Sequence, residues 1–257
     1  MKKIISIALL IAMLAMSVCA FASCEAVTAA SAIKKADQAL LDAPYTVTMS
    51  MNFQSDNAEV NAIFEAMNME IPVTVDGENL AINMTTEAMG MAVGMNMTVV
   101  DKVLYYDLSM FGETAKMKTT LTDEQYKEIT EEDGVQMPVD SANFETLTLE
   151  TVDGKHVITC TGITTEGTEA LNKMMNESVG EMGAEAAISD LSFKITIADG
   201  KYESMALSVT YTVTVEGTTV STTMTMNAKY AYDDVKPITA PADADSYEEM
   251  DYDEIIG

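Results

Sequence analysis

The stretch Met89–Val99 alternates with a strict period of two. Met89, Met91, Val93, Met95, Met97 and Val99 fall on one side, and Gly90, Ala92, Gly94, Asn96 and Thr98 on the other. Successive strand residues point to opposite faces, so the stretch reads as a strand with one buried face. On a helix the same side chains would be spread around the whole circumference. The alternation returns in Tyr45, Val47, Met49, Met51 and Phe53, and again in Val220, Met224, Met226 and Tyr230. A chain with several such segments must build a sheet and bury its methionine face against something.

Turn chemistry divides the chain in the same way. Asp76-Gly77, Asp153-Gly154, Asp199-Gly200 and Glu216-Gly217 each sit between alternating runs, and Asp-Gly is a strong two-residue hairpin signal. Further strands are read near Val73–Val75 and at Leu80–Thr85, Val103–Leu108, Thr114–Thr119, Thr146–Val152, His156–Ile163, Leu191–Ile197, Tyr202–Val215 and Thr219–Tyr232. Their length predicts a strongly twisted and curved sheet. Threonines such as Thr210, Thr212 and Thr214 lie opposite the apolar side and suit a solvated face.

Helical spacing interrupts this pattern at four places. In Ala29–Asp42, Ile33, Ala36 and Leu40 form a stripe, and Pro44 ends it. In Asp56–Glu70, Val60, Ile63, Phe64 and Met67 fall at i, i+3, i+4 and i+7. Thr122 and Gln125 form a capping box, Leu121 can staple onto Tyr126, and Gly134 closes that helix. From about Thr165 to Met182, Leu171, Met174, Met175, Val179 and Met182 share a side. These helices are predicted to cover the apolar face of the sheet.

The N-terminus reads as an address. Lys2 and Lys3 precede the apolar run Ile4–Met16, which is short for a membrane span and suits an export signal. Ala20-Phe21-Ala22 is an A-x-A site, and cleavage there would leave Ser23 first. Phe21-Ala22-Ser23-Cys24 also resembles a lipobox, although Phe21 stands where an aliphatic residue is usual. Lipidation of Cys24 is favoured over plain secretion. Residues 1–23 are then a lipoprotein signal, 24–240 one domain, and 241–257 an acidic, disordered tail. If Cys24 is not lipidated, a bridge to Cys160 becomes possible.

Charge limits the partners. Forty-one acidic residues face 14 lysines, with no arginine, giving a formal charge of −27. Nucleic acid is excluded and anionic lipid is repelled, so a covalent lipid would have to provide any membrane attachment. No oligomerisation signature is present, and the chain reads as a monomer.

Catalytic signatures fail. The chain has no G-x-S-x-G, no H-E-x-x-H, no phosphate loop and no dinucleotide fingerprint. His156 and Cys160 share a strand face, but four residues span about 13 Å there, beyond a nucleophile–base hydrogen bond. The acidic tail lacks the glycine-centred loop of a calcium hand. The pairs Met49/Met51, Met89/Met91, Met95/Met97 and Met224/Met226 could offer thioethers to Cu(I). Core packing explains them without a metal, and no cofactor is predicted.

Methionine moulds to irregular apolar shapes, and burying six such side chains is worth on the order of 10 kcal/mol. That gain is the same whether the partner is a helix of the chain or an acyl chain.

The order of elements resembles the LolA-like superfamily of lipoprotein and lipid carriers, including membrane-anchored lipoproteins of the LppX–LprG type. The resemblance rests on Lys34-Lys35-Ala36-Asp37-Gln38-Ala39-Leu40 leading into Tyr45-Thr46-Val47. It continues through Tyr105-Tyr106 with the capped Leu121–Ile129 helix, and ends at Val235-Lys236-Pro237-Ile238. It implies an α+β fold: a strongly curved antiparallel β-sheet (half-barrel) with helices packed on its concave apolar face. It further implies non-catalytic binding of a lipid or other apolar ligand. Lining candidates are Met49, Met51, Met91, Met95, Met97, Met224 and Met226 on the sheet, with Phe64, Met67, Met174 and Met175 on the covering helices. The absence of arginine means that no arginine-assisted handling of a ligand transfers. The competing expectation is a structural or interaction lipoprotein with a filled core and no ligand.

Overall fold

The hairpin turns show how the sheet is assembled. Asp153 and Gly154 (φ 51° and 79°) and Asp199 and Gly200 (φ 52° and 76°) are both left-handed pairs. Two successive residues at positive φ make the type I′ turn, whose twist matches that of the flanking strands. Asp101 and Lys102 do the same without glycine, at φ 50° and 61°. That turn is held by Leu121 N–H donating to Lys102 O at 2.8 Å and by a 2.6 Å ion pair between Lys102 and Asp123. The computed structural model describes residues 24–57, 61, 69–88, 91–110, 112–130, 144–179, 184–215 and 218–255.

The strands are β1 (Tyr45–Ser55), β2 (Met69–Asp76), β3 (Asn79–Ala88), β4 (Met91–Val100), β5 (Val103–Met110), β6 (Glu113–Thr120), β7 (Phe144–Val152), β8 (Lys155–Ile163), β9 (Ala184–Ala198), β10 (Lys201–Val215), β11 (Thr218–Ala231) and β12 (Glu248–Glu249). All 12 belong to one sheet in the order β12-β6-β5-β4-β3-β2-β1-β11-β10-β9-β8-β7. Two antiparallel meanders, β1–β6 and β7–β11, therefore join along a single β1–β11 seam. Only β12 runs parallel to its neighbour.

The helices are α1 (Cys24–Asp42), α2 (Asp123–Thr130), α3 (Thr165–Val179) and the single turn α4 (Tyr252–Ile255). Both capping-box bonds form at α2: Gln125 N–H donates to Thr122 Oγ1 at 3.2 Å, and Thr122 N–H to Gln125 Oε1 at 2.9 Å. On α1, Ala29, Ile33 and Ala36 are buried against the sheet. The Tyr202 hydroxyl donates to Asp37 Oδ1 at 2.5 Å and fixes that helix over β10.

Three expectations need correction. The molecule is mainly β rather than α+β, because nearly every alternating run extends further than its strongest core suggests. The sheet is not strongly curled into a half-barrel; it is open, with β7 at one edge and β6, capped by β12, at the other. The acidic tail is not a solvated extension. Tyr247 is 5% exposed and its ring meets Tyr105 edge-on at 5.3 Å. From there β12 pairs with Met117 and Lys118 of β6, and Tyr252 and Ile255 of α4 pack against the buried cluster that holds Met95, Met97, Val99, Leu104, Tyr106 and Leu121. The tail thus crosses the β6 edge and touches both faces of the sheet. Three apolar side chains outweigh the solvation of the surrounding carboxylates. The helix read over Asp56–Glu70 lies mostly outside the described residues, though Met69 and Glu70 belong to β2.

The start of β9 is held in an unusual way. β8 pairs with β9 only over Ser192–Ile197, so Ala184–Asp190 has β10 on one side and no strand on the other. Helix α3 supplies the missing bonds. Asn176 accepts from Ala186 N–H and donates to Ala186 O, both at 2.8 Å, and Asn172 Oδ1 accepts from Ile188 N–H at 2.6 Å. A primary amide carries one acceptor and two donors, so it can imitate a passing strand.

Asn176→Ala should therefore leave both groups of Ala186 without partners and cost about 2 kcal/mol; urea unfolding measures it, and a loss near zero would contradict this account of β9. The tail gives a pH prediction. Burial first, and the Asp107 carboxylate beside it second, hold the Tyr247 hydroxyl well above the usual phenol range. A group whose folded pKa is raised stabilises fully below its unfolded value, about 10. That stability is lost as pH rises toward the folded value. Hydrogen exchange at residues 247–250 should accelerate above about pH 10, and less steeply in Tyr247→Phe, which keeps the ring but has no proton to lose.

Candidate functional site

The apolar face is built from register. On β1, Met49 lies between Ile71 of β2 and Ala228 of β11, and Met51 lies between Met69 and Met226. Phe53 is opposite Met224. Across β4, Met95 lies between Met84 and Leu108, and Met97 between Ile82 and Tyr106. Each pair sits within side-chain reach on the same face.

These positions form two clusters. Met49, Met51, Met224 and Met226 belong to the larger one, with α1, α3 and strands β7–β11. Met95 and Met97 belong to the smaller one, with Val99, Leu104, Tyr106 and Leu121. Partly buried Ile82 and Met84 pack against both and make the face continuous. The sheet methionines at the six positions are only 1–7% exposed. That face is already closely covered in the chain on its own.

The other candidates are placed as follows. Met91 pairs with Ala88 at the end of β4, and Met174 and Met175 lie on α3. Phe64 and Met67 lie outside the described residues, as do Met89 and Gly90. Cys24 is the first residue of α1. Spacing also reaches methionines left out of the candidate set. Met205 alternates with Leu207 and is 3% exposed, and its sulfur accepts from the Tyr230 hydroxyl at 3.5 Å. Met84, opposite Met95, alternates with Ile82.

The polar groups nearest this face are structural. At one end of the β1–β11 seam Ser55 and Thr222 are buried opposite each other, and Ser55 Oγ donates to Ser221 O at 3.0 Å. At the other end Tyr45, Tyr202, Tyr230 and Tyr232 stack with ring centres 5.6–6.3 Å apart. Burial pushes the Tyr232 hydroxyl up to about 12. Cys160 is a free, buried thiol, so the bridge to Cys24 is not formed. Burial pushes it up to about 11, which keeps it protonated and a poor nucleophile at neutral pH. His156 Nδ1 lies 3.5 Å from Thr151 Oγ1 on the neighbouring strand, not near Cys160. Among the described residues no helix is long and apolar enough to cross a membrane.

Fold and face together define a mainly-β protein with a single, largely antiparallel sheet whose apolar side is lined with methionine. A family model described as a family of unknown function (DUF6612) matches residues 25–248, and the chain belongs to that family. No curated protein matches it. Among solved structures it is similar to the ywiB protein from Bacillus subtilis, at 8% identity and a TM-score of 0.20, over 74% of this chain and 92% of that one. It is also similar to MucB in complex with MucA(peri), at 9% identity and a TM-score of 0.13, over 82% of this chain and 100% of that one. Likenesses this distant carry no argument about what the chain does.

The thiol is the most direct check on how closely this face is packed. At pH 8 Cys160 should resist a disulfide reagent in the native protein and react promptly once urea unfolds it. Fast labelling of the native form would mean that the core under β7–β9 is open.

Proposed function

We propose that this is an exported protein, anchored by lipid at Cys24, that binds a lipid or other apolar ligand without catalysis. The observation that carries the reading is the gathering of Met49, Met51, Met224 and Met226 on the central strands β1 and β11, with Met51 directly opposite Met226. A core needs only to be filled, and Leu, Ile and Val fill one with fewer rotamers. Placing the flexible, polarizable side chains at the middle of the face gives it the means to repack around an irregular apolar guest. The anchor at the head of α1 would hold that face at a membrane surface, where such guests are found. The resemblance to lipid carriers points the same way. Lining residues in this reading are the four above with Met91, Met95 and Met97, and Phe64, Met67, Met174 and Met175 from the intervening segments.

A second reading has its own support. Exposure of only 1–7% at the six buried sheet methionines is what a filled core gives, and the chain would then be a surface interaction lipoprotein with no ligand. Native mass spectrometry of residues 25–257, purified from the host without detergent, separates the two. A discrete added mass that is lost on organic extraction is expected and would identify the guest. A clean apo mass, together with no uptake of added phospholipid or fatty acid, would leave the filled-core reading standing.

A further inference from the structure

The side of the sheet opposite the methionines carries its own pattern. The chain has a formal charge of −27, yet β1 has no charged residue anywhere in Tyr45–Ser55. The next two strands, β11 and β10, have none between Thr218 and Ala228 or between Ser204 and Val215. Solvated strand faces ordinarily carry Lys and Glu, which also guard against association. Over these stretches the three adjacent strands show only hydroxyl, amide and small side chains outward.

From this area one row continues onto β9 and β8, five strands in all, passing on β9 between the exposed Asp190 and Lys194. Thr161 of β8 pairs with Ser192 of β9, Ser192 with Ser208 of β10, Ser208 with Thr225 of β11, and Thr225 with Asn52 of β1. Each flanks a buried residue on its own strand, Cys160, Phe193, Leu207, Met226 and Met51 respectively, so all five point outward. All five are exposed or half-exposed. Other hydroxyls on this side are spent on each other: Thr210 with Thr223 at 3.0 Å, Thr214 with Thr219 at 2.9 Å and Thr46 with Thr74 at 3.1 Å. Among the described residues no hydrogen bond engages the five side chains of the row.

We infer that this row is a binding track for an extended, uncharged β-linked polysaccharide. Strands repeat every ~4.8 Å, close to the length of one pyranose in an extended β-linked chain, so a glycan laid across the strands meets one polar side chain per sugar. Ser, Thr and Asn each both donate and accept, as sugar hydroxyls do. The threonine methyl groups offer apolar contact to the C–H faces of the rings. The freedom from carboxylates over these stretches of β10, β11 and β1 matters because a carboxylate pressed against a neutral sugar face would lose water without gaining a counter-charge.

The test is co-sedimentation of the full chain, in mild detergent, with insoluble cellulose and chitin. Wild-type protein should pellet with one or both. Thr225→Glu, next to the middle of the row and on the solvent side of β11, should reduce pelleting about ten-fold while the melting temperature holds. Thr225→Ser should pellet as wild type. If Thr225→Glu lowers the melting temperature, Asn52→Glu at its exposed position on β1 takes its place with the same expected loss. Wild-type protein left in the supernatant with both glycans, or a folded charged variant that pellets as well as wild type, would overturn the inference.

Discussion

The β1–β11 pairing is the interaction on which the rest depends. It joins residues 46–55 to residues 222–231, and every other pairing of long strands lies within one of the two meanders. A contact between such distant parts of a chain is costly in loop-closure entropy and rewards it late. It therefore has to be specified strongly. The two ends of the seam are pinned by different chemistry. At one, Ser55 and Asp56 bond the Ser221 backbone; at the other, Tyr45 packs against Tyr230 and Tyr232. Between them, Met51 facing Met226 and Met49 facing Ala228 fix the face, since a one-residue slip would turn all of them to solvent.

The period of two also ties the two sides of the molecule together. Each residue of the outward row is the sequence neighbour of a buried one: Thr225 beside Met226, Asn52 beside Met51, Ser208 beside Leu207. Strand geometry then gives two surfaces of opposite character from one set of strands, one apolar and lined with methionine, the other polar. Substitutions on the outer side leave the apolar packing untouched, so the two surfaces can be probed independently.

How much of this is legible in the sequence follows from what each signal encodes. Period two gives strand positions and buried faces, which is why Met49, Met51, Met95, Met97, Met224 and Met226 are all buried as read. The capping box of Thr122 and Gln125 gives its helix start to the residue. Alternation does not say which strands are neighbours, so the meeting of β1 with β11, and of Met51 with Met226, is invisible until the sheet is assembled. The first half of β9 is hidden for a different reason. Ala184-Glu185-Ala186-Ala187 has weak strand preference, and it is extended because β10 pairs with it and two asparagines of a helix complete its bonds. Tertiary partners there override the local signal.

The tail shows the same override at an edge. A run rich in Asp and Glu reads as solvated because composition averages over residues, whereas docking depends on a few. Tyr247, Tyr252 and Ile255 are separated by acidic residues, and only the β6 edge brings their partners into reach: Tyr105 on one face, and the buried cluster around Met95, Met97 and Leu104 on the other. A bare β6 would offer its backbone groups to any passing strand. Lys116 and Lys118 on that strand hold Asp243 and the carbonyl of Ala244, so the scarce positive charge is used where an acidic segment must be drawn in. Among the described residues, no strand pairs with the opposite edge, β7. Glu145 and Glu150 are both exposed there, and two such strands brought together would set carboxylates against one another. One edge is closed by contact and the other by repulsion, which accounts for a 12-stranded open sheet with Cys160 left as a free thiol.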